Sequence, residues 1–151
     1  MSSANVVAFF CEDIREERSG LMSIIGIMPD NLNVEISHDF PQDQQPTIPR
    51  LTCYARLVFD PTKSDPRPVL ATLIFPDDTE RVVKMFDEAI VDKGIADAKE
   101  LGSPLVGLIS RVQMDRFPII KPGRLRLRIK LGKDEFLAGQ LNIIVNKQPK
   151  P

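Results

Sequence analysis

Residues 123–132 read Gly123-Arg124-Leu125-Arg126-Leu127-Arg128-Ile129-Lys130-Leu131-Gly132. A cation and an aliphatic residue alternate through the whole stretch. Successive side chains of a β-strand point to opposite faces, so this alternation builds one greasy face and one basic face. A helix would distribute both sets around its circumference and either bury charge or expose leucine. The segment therefore predicts a strand in an antiparallel sheet, with one side on a core and the other in water. Leu125, Leu127, Ile129 and Leu131 are predicted to meet the core beside Phe9, Ile24, Leu51, Cys53 and Leu57.

The flanking sequence is cut at strand-like intervals by 13 prolines and 8 glycines. Upstream, apolar or alternating runs predict strands over Asn5–Glu12, Leu21–Ile27, Leu32–Ile36, Arg50–Phe59 and Val69–Phe75. The charged stretch Glu12–Gly20 reads as a connection, Pro29-Asp30-Asn31 as a turn, and Ser37–Pro49 as a polar loop. Asn5–Phe10 and Leu21–Ile27 are apolar enough for central strands or an interface. Downstream, Leu105–Phe117 and Glu135–Val145 flank the alternating strand, with Gly132-Lys133-Asp134 as a hairpin turn. Short strands at this spacing predict an all-β fold, a single antiparallel β-sandwich of immunoglobulin-like or C2-like type. It occupies residues 1–146 and leaves 147–151 as a flexible tail.

One segment departs from that pattern. Val82, Val83, Phe86, Ala89 and Ile90 recur at helical spacing behind Thr79, a potential cap. Val82, Phe86 and Ile90 also fit one side of a strand. Divided between the two readings, Glu80–Met85 is a strand and Phe86–Leu101 a short helical insertion ended by Gly102 and Pro104.

Composition bounds the chemistry. At 151 residues, a net charge of −1 and 42% hydrophobic residues, the chain can bury a sizeable core and has no global pull toward nucleic acid. Cys11 and Cys53 lie in apolar strand segments and read as reduced, buried thiols. The N-terminus lacks the pattern of a signal peptide, and a cytoplasmic setting is expected.

Arg124, Arg126, Arg128 and Lys130 form the candidate anion- or partner-binding row. Same-face neighbours on a strand lie about 6.6 Å apart, so four cations in a row call for an anion, an acidic partner or cross-strand carboxylates. Glu135, Asp87 and Glu88 are the available internal carboxylates. Base stacking has little to work with: there is no tryptophan, and Tyr54 is the only tyrosine. In Glu12–Arg18 the carboxylates alternate with Arg15 and Arg18, which fits solvated ion pairs rather than acid–base catalysis. His38 is the only histidine, and neither cysteine belongs to a paired ligand motif. Asp60, Asp65, Asp77 and Asp78 could gather as calcium ligands at one end of a sandwich, or simply build turns. No nucleophile elbow or phosphate loop is present. A non-catalytic module without cofactor or metal is expected, acting as a homo-oligomer or with a protein partner. The alternative is a small-anion or nucleic-acid binder using residues 124–130.

Three stretches carry a resemblance to a family. They are Ala8-Phe9-Phe10-Cys11-Glu12-Asp13-Ile14-Arg15-Glu16-Glu17 leading to Ser23-Ile24-Ile25-Gly26-Ile27, then Ile48–Tyr54, and Phe117–Ile119 running on to Leu125–Arg128. Together they resemble a family of small bacterial proteins known as a domain of unknown function. The resemblance implies a cytoplasmic bacterial β-sandwich with no assigned activity and no catalytic residues.

Overall fold

The computed structural model describes residues 4–63 and 65–150. It is an all-β sandwich with one short helix. Its strands are β1 (Ala4–Glu16), β2 (Met22–Ile27), β3 (Asn31–Ile36), β4 (Thr47–Phe59), β5 (Val69–Ile74), β6 (Glu80–Val83), β7 (Val106–Pro118), β8 (Gly123–Leu131) and β9 (Asp134–Lys147). The helix α1 (Glu88–Glu100) lies between β6 and β7. One sheet runs β2-β1-β4-β7 and the other β3-β9-β8-β5-β6.

The alternating stretch forms β8 and behaves as its pattern requires. Leu125, Leu127 and Ile129 are fully buried, and Leu131 nearly so, while the intervening cations face outward. Two-residue periodicity on β4 does the same for Leu51, Cys53, Ala55, Leu57 and Phe59. Gly132 takes φ +56 where the β8–β9 hairpin reverses, a position at which a side chain would be strained.

Several expectations change. The charged Glu12–Gly20 stretch is not all connection, because β1 continues through Glu16, pairing with β2 as far as Glu16–Met22. Local polarity misleads there, since a hairpin arm can be solvated on one side. β4 begins at Thr47 rather than Arg50, and its first residues pair with Phe117 and Pro118. The sandwich is not wholly antiparallel: β3 lies parallel to β9, from Asn31–Asn142 to Ile36–Lys147. That ladder also corrects the tail, since Lys147 belongs to β9 and the Gln148 N–H donates to the Ile36 carbonyl at 3.0 Å. Of the expected tail 147–151, Pro151 lies outside the described residues.

Phe9 and Ile24 are only half-buried. Phe10 takes the core position instead, and Phe9 stacks on Tyr54 on the outer face with ring centroids 4.7 Å apart. β1 is interior as its apolar run suggests, whereas β2 is a sheet edge.

The helical insertion is shorter than Phe86–Leu101, and Thr79 closes the β5–β6 turn rather than capping a helix. Asp87 is the cap, its carboxylate accepting the Ile90 N–H at 2.8 Å. Gly102, at φ +64, ends the helix. The N–H groups of Gly102 and Ser103 return to the carbonyls of Lys99 and Ala98, the Schellman pattern. Val91 and Ala98 enter the core. A Cβ on Gly94 would stand 2.4 Å from a Leu108 methyl, so α1 lies tightly against β7. The helix closes the β7 side of the sandwich. The side bounded by β2 and β3 has no such cover among the described residues.

Candidate binding surfaces

The predicted cationic row is present, and half of it is already occupied. Arg126 donates to Asp78 at 2.6 Å and Arg128 to Glu80 at 2.6 Å, with Glu135 a further 3.8 Å from Arg128. Of the carboxylates expected from sequence, Glu135 participates. Asp87 is used in capping α1, and Glu88 forms no ion pair with the row. Asp78 and Glu80 were the missed partners. Only the β8-β5-β6 strand order brings that turn alongside β8.

The reach of these arginines explains a second observation. Arg128 lies opposite Thr72 on β5, yet pairs with Glu80 one strand further on. Arg126 likewise lies opposite Ile74 and reaches Asp78. Their stems therefore pass over β5, where Thr72 and Ile74 are buried outside the main core cluster. Arg124 and Lys130 form no ion pair among the described residues. They stand six positions apart along β8, roughly 20 Å at about 3.3 Å per residue.

The more open feature lies at the β2/β3 side. Here a cleft of about 670 Å³ separates the far half of the β1–β2 hairpin from β3 and the start of β4. That half of the hairpin leans over the outer face of the β4–β7 pair. Arg111 donates to the Ile14 carbonyl at 2.7 Å and the Thr52 hydroxyl to the Glu12 carbonyl at 3.2 Å. Ile14 from this half is buried with Cys11 and Thr52 against that face, apart from the main core.

Ile25, Met28, Leu32, Val34 and Ile48 give the cleft apolar walls. Its rim carries a chain of alternating charge. Asp13 contacts Arg15 at 3.3 Å and Arg50 at 3.5 Å, and Arg50 continues to Asp115 at 3.2 Å. The hydrogen bond from Arg15 holds the Asp13 carboxyl below its ordinary range. A carboxylate held ionised in this way suits positioning rather than proton transfer. The sequence pattern Glu12–Arg18 announced the Asp13–Arg15 pair. It held no signal for Arg50, which arrives from a distant strand.

The other polar candidates are engaged locally. His38 approaches Asp39 at 2.9 Å. Asp60 accepts from the Thr62 hydroxyl, Asp65 from Arg67, and Asp77 from the Thr79 hydroxyl. No group of three or more metal-ligating side chains occurs among the described residues. Both cysteines are free and buried, and burial pushes the Cys53 thiol up to about 12.

The loop carboxylates set an acid response. The Thr62 hydroxyl and Lys63 hold Asp60 at about 2, and Arg67 holds Asp65 at about 2, against an ordinary 3.8. A carboxyl depressed on folding binds fewer protons in the native state. Its contribution is present above the ordinary carboxylate range and is lost as pH falls toward about 2. The melting temperature is expected to fall across that interval, and less steeply in Asp65→Asn. An identical acid profile for the two proteins would contradict this assignment.

No family model, no curated protein and no solved structure matches this chain. No helix among the described residues is long and apolar enough to cross a membrane.

Proposed function

We propose that this chain is a non-catalytic protein-interaction module that receives its partner at the open β2/β3 side. The observation that carries this reading is the cleft itself. It has apolar walls, lies between two sheet edges that are unpaired among the described residues, and has a rim where Asp13, Arg15, Arg50 and Asp115 pair with one another and leave only Glu12 outside that network. Apolar surface left open in this way favours association. An unpaired edge supplies backbone donors and acceptors for an added strand, whose alternate side chains would enter the cleft.

The competing reading, a small anion or nucleic-acid backbone on the 124–130 face, draws less support. Arg126 and Arg128 would have to exchange existing carboxylates for the ligand. Arg124 and Lys130 stand too far apart to grip one phosphate.

Selection of extended peptides from a display library tests the proposal. Uncharged, alternately apolar peptides should be enriched, and Asn33→Lys, which places a charge on the exposed lip of the cleft, should abolish their binding. Recovery of no binder by the monomeric chain, or of binders indifferent to that substitution, would overturn it.

A further inference from the structure

Resting on that reading, we infer that the occupant of the open side is a second copy of this chain, paired about a twofold axis. Three features carry the inference. First, β2 ends one sheet and β3 ends the other, joined by a short connection, so both free edges lie on the same side of the molecule. Second, the Leu21–Pro29 segment contains no charged residue, and Leu21, Met22 and Ile27 are 69%, 42% and 62% exposed. Edge strands that must remain single are commonly blunted by lysine, inward-pointing charge or proline. No charge or proline interrupts β2 itself.

Third, the cleft beside β3 is complementary to such a segment. Its walls are apolar. Asp13 is held between Arg15 and Arg50, and Arg50 is shared with Asp115, so none of these rim charges calls for a counter-charge from the partner. An uncharged apolar strand on one copy therefore matches, on the other, an apolar cleft whose rim charges pair with one another except for Glu12. Because one chain carries both on one side, a twofold rotation sets each β2 against the other copy's β3 and satisfies both sites together. Such an isologous contact closes as a dimer and leaves no unsatisfied copy to propagate a fibre.

Sedimentation of the full chain over a micromolar concentration series tests the inference. The wild type should run as a dimer. Ile27→Lys and Asn33→Lys alter exposed positions on the two facing edges, and each should shift the mass to monomer with the circular dichroism spectrum retained. Leu101→Lys, 81% exposed at the end of α1 on the far side, should leave the dimer intact. A wild type that is monomeric throughout, or a dimer surviving both edge lysines, overturns the inference. The peptide selection separates the two failures. A monomer whose cleft still binds peptides removes the second copy alone, and a monomer that binds none removes the interaction reading as well.

Discussion

Leu127→Asp is expected to abolish folding, while Arg126→Asp, one residue away, should leave a folded protein. Leu127 is fully buried at the centre of β8, paired with Leu73 on one side and Gly139 on the other. Removing its side chain forfeits about 1.5–3 kcal/mol of apolar burial. A buried carboxylate without a partner adds a penalty of several kcal/mol even after relaxation. Together these approach the whole stability of an ordinary domain, about 5–15 kcal/mol. Arg126 points the other way. Its side chain is partly exposed, and its pair with Asp78 is of the surface class worth about 0–1 kcal/mol. The carboxylate introduced by Arg126→Asp would face Asp78 and uncover part of Ile74, so a lower melting temperature is expected with the fold retained. Circular dichroism and thermal melts of both variants check the contrast. Equal tolerance of the two would mean that the register of β8 is wrong.

Phe59→Ala should cost about 3–5 kcal/mol, the range for an aromatic side chain truncated in a close-packed core. Phe59 is fully buried near the end of β4, opposite Ala4 on β1 and Val106 on β7. Neither neighbour is large enough to fill the space of a lost ring. The void would open where three strands meet and would weaken both ladders of the central strand. Denaturant unfolding measures the loss. A cost below about 1 kcal/mol would show that the site collapses freely, at odds with this packing.

The fold was legible where one face of a strand is buried and the other wet. Arg124–Leu131 and Leu51–Phe59 announce strand, orientation and core together, because a shift of one residue would invert every side chain. The helix was legible in its apolar spacing and in Gly102. Its start was not, because Asp87 as a cap competes with Thr79, and only the β5–β6 turn decides between them. Parallel pairing of β3 with β9 has no local signature, since Asn31 and its partner Asn142 stand 111 positions apart in the chain. The same separation hid the binding surfaces. Asp78 and Glu80 look like turn chemistry until strand order places them beside Arg126 and Arg128. The cleft draws its walls from the β1–β2 hairpin, β3 and β4, whose convergence no single stretch predicts.

Association through the open β2/β3 side is read directly by amide hydrogen exchange at low and high protein concentration. Amides of Met22–Ile27 and Asn31–Ile36 should gain protection as concentration rises, while those of α1 and β6 stay unchanged. Exchange at β2 and β3 that is independent of concentration, or a gain in protection confined to α1 and β7, would contradict it.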